Sequence, residues 1–98
     1  MILLSTVFML LLYQAVYAAT TTGGYIACIS EEKLDEFISA QVQNDKDGME
    51  FLLKSGCTIT KAGIKLSILD RSWTVSKVRA YVGDSAVVLW TPNENISK

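Results

Sequence analysis

Lys61-Ala62-Gly63-Ile64-Lys65-Leu66-Ser67-Ile68-Leu69-Asp70 is the stretch on which the fold turns. Ile64, Leu66 and Ile68 alternate with Lys65 and Ser67, the period of two that a strand with one buried face requires. The same period returns downstream, where Val78, Ala80 and Val82 alternate with Lys77, Arg79 and Tyr81. Gly83-Asp84 then reads as a tight hairpin turn. Ala86, Val88 and Trp90 alternate with Val87 and Leu89, a strand apolar on both faces that Pro92 ends. Upstream, Thr58-Ile59-Thr60 is a short strand and Ala62-Gly63 a turn, while Asp70-Arg71-Ser72 breaks the central run. Short strands at close spacing with turn residues between them predict a small antiparallel barrel over residues 57–96.

Before Cys57 the period is helical. Ser30 stands ahead of Glu31-Glu32-Lys33-Leu34, where its hydroxyl can accept from a free backbone N–H and the two acids suit the positive end of the helix dipole. Leu34, Phe37, Ile38 and Val42 form one apolar stripe. Asn44-Asp45 breaks this helix, and Asp45 or Asp47 can cap a second whose buried face is Met49, Leu52 and Leu53. Gly56 sits where a helix-terminating glycine adopts positive φ. Residues 30–56 are therefore expected as a helical hairpin. Its ends carry the two cysteines, Cys28 just before and Cys57 just after. An antiparallel hairpin brings those points together, so a disulfide needs no unusual geometry. In the chain-entropy treatment a loop of this length is worth about 3.6 kcal/mol, significant beside the few kcal/mol a core this small supplies.

Residues 1–19 carry no charged side chain, and all nine Lys and Arg and all ten Asp and Glu follow from Glu31 onward. Ile2 to Leu12 is an apolar run, and small residues arrive at Ala18 and Ala19. This is the pattern of a secretory signal peptide over residues 1–18, with Val16 and Ala18 at the positions preceding cleavage. The departure is an n-region without Lys or Arg, which leaves a retained anchor as the alternative. An anchor would be the chain's only association with a membrane, and the run is marginal against the ~20 apolar residues a spanning helix needs. Tyr25-Ile26-Ala27-Cys28 makes a poor lipobox, since it lies apart from the apolar run and Cys28 has its disulfide use. Residues 19–29 contain Thr20-Thr21-Thr22-Gly23-Gly24 and read as a flexible segment leading from the cleavage site into the folding unit, residues 30–96.

Length allows one small domain, and a net charge of −1 without a basic block gives no footprint for nucleic acid. With no His and two Cys, the usual zinc ligand sets cannot be assembled, and neither a metal nor a cofactor is expected.

Three segments together carry a resemblance. Lys61 to Asp70 resembles the opening of bacterial SH3-like domains, where an Ala-Gly turn leads into an alternating strand ending in Leu-Asp. Val78-Arg79-Ala80-Tyr81-Val82-Gly83 looks like their central strand and hairpin turn, and Trp90-Thr91-Pro92-Asn93-Glu94-Asn95-Ile96 is similar to their closing segment. With the preceding helical hairpin, the chain resembles small exported bacterial or phage proteins with an SH3-like end. The resemblance implies an α+β fold, a helical hairpin packed on an SH3-like barrel and stapled by one disulfide. Leu89 stands where the family places Gly before the closing Trp, and Asp70-Arg71-Ser72-Trp73 is short and not acidic. Polyproline recognition is therefore not carried over.

Glu31, Glu32, Asp35 and Glu36 crowd one helix start, where acids are stabilised by the dipole, and they read as a solvated face. Lys77 and Arg79 share a strand face with Tyr81, scant for more than a small anionic patch. Asn95-Ile96-Ser97 matches a glycosylation sequon and is read as chance. Trp73 falls in a loop among Arg71, Ser72 and Thr74, where an exposed aromatic can anchor a ligand. Trp90 follows Ala86 and Val88 and is expected as a core aromatic inside the barrel. The candidate ligand-binding set is thus Trp73, Arg71, Arg79 and Tyr81, and no catalytic constellation is present. The function expected is a non-enzymatic, periplasmic or secreted module that binds a protein or envelope component. The alternative is a periplasmic inhibitor or immunity-type protein, phage-encoded or otherwise, that blocks a lytic enzyme or an entry process.

Overall fold

Ser30 and Asp45 set the two helices. In the computed structural model, which describes residues 19–98, Ser30 Oγ accepts from Lys33 N at 3.1 Å and starts helix α1, Glu31–Val42. Asp45 Oδ1 accepts from Gly48 N at 3.0 Å and starts α2, Lys46–Leu53. The expected signal peptide, residues 1–18, lies outside the described residues.

Leu34, Phe37 and Ala40 form the buried stripe of α1, with Ile38 half-buried. Val42, expected on this stripe, is 81% exposed. At about 100° per residue Val42 lies about 80° to one side of Leu34, whereas Phe37 and Ala40 lie to the other. In α2, Leu52 is buried and Met49 half-buried, so the adjacent Leu53 is turned outward. Gly56 follows with φ of 120°, which redirects the chain into the sheet.

The strands are β1 (Ala19–Thr21), β2 (Ile26–Cys28), β3 (Cys57–Ile59), β4 (Lys65–Arg71), β5 (Val75–Val82), β6 (Ser85–Pro92) and β7 (Ile96–Ser97). They form one antiparallel sheet in the order β3-β2-β6-β5-β4-β1-β7, which is not closed end to end. The β4–β5–β6 meander is its centre, as the alternation predicts. Two details differ from the sequence reading. Asp70 and Arg71 continue β4 past an irregularity between Ile68 and Asp70, which places Asp70 opposite Lys77 and Arg71 opposite Ser76.

The larger difference is in residues 19–29, which are not a flexible exit. They supply β1 and β2, with Ala19, Thr21, Ile26, Ala27 and Cys28 all buried. Because β1 pairs with β4 and β2 with β6, this short segment reaches both sides of the meander. The chain turns between the two strands at Gly23 and Gly24, both at positive φ. Gly23 is indispensable there, since an added Cβ would stand 2.5 Å from the backbone nitrogen of Ala62.

The predicted disulfide is present between Cys28 and Cys57, which face one another across the β2–β3 ladder. It sits in a core of Ile26, Leu34, Phe37 and Leu52 between the helices and one face of the sheet. A second core, Ala19, Leu66, Val78 and Ala80, lies on the opposite, concave face. Where the two ends of the sheet approach, a side chain takes the place of a strand ladder. Asn95 is 0% exposed; its Nδ2 donates to Thr60 Oγ1 at 2.9 Å and Thr91 Oγ1 at 3.0 Å, and its Oδ1 accepts from Gly23 N at 3.0 Å. Burial of this amide leaves the sequon nitrogen inaccessible in the folded chain.

Candidate functional site

The β4–β5 turn is short because Ser72 N donates to Val75 O at 3.0 Å, leaving Trp73 at its tip. Asn93, immediately after β6, fixes the conformation of that tip. Its Nδ2 donates to Ser72 O at 2.9 Å and to Trp73 O at 3.1 Å, and its backbone N donates to Thr74 O at 2.9 Å. The amide is itself oriented by Ser76 Oγ, which donates to Asn93 Oδ1 at 2.6 Å from a buried position on β5. Four hydrogen bonds thus hold a three-residue loop whose indole is 98% exposed. The backbone is ordered by the fold, while the ring touches almost nothing. Arg71 is exposed beside it, and Arg71, Ser72, Trp73 and Asn93 line a shallow depression.

A second cleft lies between α1 and the sheet, with Thr74 among its lining residues. Phe37, Ile38, Val75 and Pro92 give it an apolar floor, and Asp35 and Glu94 supply acids on its lining. The loop tryptophan is adjacent in sequence to Thr74 on this lining but is not itself part of it.

Arg79 and Tyr81 lie elsewhere. Along β5 they face the same side as Lys77, with Arg79 opposite Ser67 and Tyr81 opposite Lys65. Tyr81 is five positions along β5 from Ser76, the partner of Arg71, a distance of roughly 17 Å. One ligand of ordinary size does not touch all four candidates. The Tyr81 hydroxyl is 2.8 Å from Ser67 Oγ. That hydrogen bond, with a further contribution from Arg79, holds the phenol below its usual ionisation range.

Trp90 takes a different seat from the one expected. Leu89 and Thr91 point to the concave face, so Trp90 points to the other, opposite Cys28 and half-buried against the disulfide core. Lys77 Nζ lies 5.2 Å from its ring centroid, a cation–π contact that covers the ring's outer side. Because both faces of β6 are apolar, alternation alone did not decide which one the helices cover.

Sequence reasoning singled out Trp73 and Arg71 but missed Asn93, the residue that fixes the Ser72–Thr74 loop. Its only signal is position: an Asn just after a strand-ending proline, where its amide can meet the neighbouring hairpin. No protein-family model, no curated protein and no solved structure matches the chain.

Proposed function

We propose that the protein is a non-enzymatic, exported binding module that grips a protein or envelope component through Trp73 and Arg71. The observation that carries this reading is the contrast between a tip held by four hydrogen bonds and an indole that is 98% exposed. An isolated tryptophan in water forfeits the burial of a large apolar surface, which a partner recovers on binding. Fixing the loop beforehand reduces the entropy lost when the complex forms. Tryptophan and arginine are also the residue types that most often dominate interface energetics.

The sheet, in this reading, is an SH3-like barrel in which residues 19–28 span the two sides of the meander. Export is supported by the disulfide, which persists in oxidising compartments. Removal of residues 1–18 as a signal peptide would leave β1, starting at Ala19, whole.

Affinity capture from an envelope extract with the full chain tests the proposal. Trp73→Ala should abolish capture without lowering the melting temperature, whereas unchanged capture sinks the assignment. A stoichiometric lytic enzyme among the captured material would make the module an inhibitor. Retention on peptidoglycan would make it a wall-binding module.

A further inference from the structure

The concave face of the sheet carries a groove away from the Trp73 loop. In a small curled sheet the inward side chains normally fill the space between strands. Here the inward residues at the centre are small: Ala80 stands opposite Leu66 and Val87, and Ala27 faces inward from β2. The result is a groove of about 440 Å³ lined almost wholly by aliphatic atoms. That volume lies within the roughly 300–1,000 Å³ of small-molecule sites. Its floor is Leu66, Val78, Ala80 and Leu89. Its mouth is unusual, since Ile29, Ile59, Val82 and Val87 all line it and are all substantially exposed.

The polar groups on its lining define what can enter. Thr91 Oγ1 donates to Ile26 O, Thr21 Oγ1 donates to Lys61 O, and both Asn95 Nδ2 protons go to threonine hydroxyls. These donors are committed within the fold, so the buried part of a ligand gains nothing from polar atoms. One charged residue lines the groove among the described residues, the exposed Lys61. An aliphatic slot with a single cation matches a single-chain amphiphile with an anionic head.

We propose that this groove binds a free medium- to long-chain fatty acid, with its acyl chain over Ala80 and its carboxylate at Lys61. Titration of the full chain with octanoate, decanoate and dodecanoate below their micellar concentrations tests it. Saturable one-to-one binding is expected, tightening about fourfold per added methylene. Bound dodecanoate should raise the melting temperature, because it stabilises only the folded state. Lys61→Ala should weaken dodecanoate at least fivefold and leave its neutral methyl ester unaffected. Ala80→Leu fills the floor and should abolish binding, with folding checked by its own melt. Val82→Glu, at an exposed rim position, puts a like charge at the mouth and should weaken dodecanoate at least tenfold without touching the core. Trp73→Ala should bind dodecanoate as the parent does. Absence of saturable binding overturns the proposal, as does binding indifferent to both Ala80→Leu and Val82→Glu. Equal affinity for dodecanoate and its methyl ester overturns the role of Lys61.

Discussion

Asn93→Ala removes three side-chain hydrogen bonds at once, and they are not equivalent. Two are accepted by the carbonyls of Ser72 and Trp73 in an exposed loop, where water replaces the amide. Each is worth about 0.5–1 kcal/mol. The third comes from Ser76, which is 1% exposed, so its hydroxyl loses its partner without gaining solvent. An orphaned buried donor costs about 1–3 kcal/mol. The total is about 3 kcal/mol, and for a domain of this size it lowers the melting temperature by roughly 12–24 °C. Denaturant unfolding followed by circular dichroism gives the free energy, and a double-mutant cycle isolates the buried term. Ser76→Ala in the Asn93→Ala background removes the orphan and should return about 1 kcal/mol, so the two substitutions couple by at least that amount. An Asn93→Ala protein within 0.5 kcal/mol of the parent would refute the reasoning. So would strict additivity in the cycle. Partner capture through Trp73 should weaken with Asn93→Ala even though the indole is intact.

The remaining expectations concern the disulfide, Trp90 and Tyr81. Thiol labelling should find no reactive cysteine before reduction and two after it, and Cys57→Ala should cost about 2–5 kcal/mol, close to the chain-entropy value for this loop. Labelling without reduction would contradict the bridge. Trp90→Ala should cost about 2 kcal/mol, below the ~3–5 kcal/mol of a fully buried tryptophan, because its ring is only half-buried. Iodide should quench Trp73 in the Trp90→Phe variant far more than Trp90 in Trp73→Phe, and the reverse order would overturn both placements. Tyr81 should ionise below the ordinary phenol value of 10.0 in an absorbance titration, with Ser67→Ala raising the midpoint more than Arg79→Ala. A phenol whose folded pKa is depressed stabilises the fold above its unfolded pKa, and that contribution is lost as pH falls through the folded value. The lowered pKa therefore contributes nothing at neutral pH; a midpoint indifferent to Ser67→Ala would contradict the hydrogen bond as its cause.

The helices, their caps, the disulfide and the three long strands were legible because each rests on a local rule. Ser30 and Asp45 cap where an oxygen can reach a free N–H, and β4, β5 and β6 are long enough for alternation to register. Residues 19–28 were not legible. Three-residue strands hold too few positions for a period, and Thr-Thr-Thr-Gly-Gly has the composition of a linker. Their structure comes from partners distant in sequence, such as Cys57 for Cys28 and Leu66 for Ala19. Trp73 was legible from its polar neighbours, which offer no apolar partner in the chain. The grouping with Arg79 and Tyr81 was not, because only the register of β4 on β5 sets the distance between them. The concave groove was hidden for a related reason: Ala80 alternates as a core residue should, and only the curl of the sheet reveals that it is too small.

The pairing of Thr20 with Ser97 and Thr21 with Ile96 makes the first described strand depend on the last. A chain delivered amino end first, from a ribosome or through a translocation channel, presents β1 long before anything exists to receive it. Its other partner, β4, follows only after both helices. Helices α1 and α2 have local contacts and can form early, β2 can pair with β3 soon after them, and the β1 edge is completed only when the β7 residues are present. Such non-local pairing places folding toward the slower end, in roughly milliseconds to seconds. The topology therefore defers completion of the sheet until residues 96–97 have been delivered.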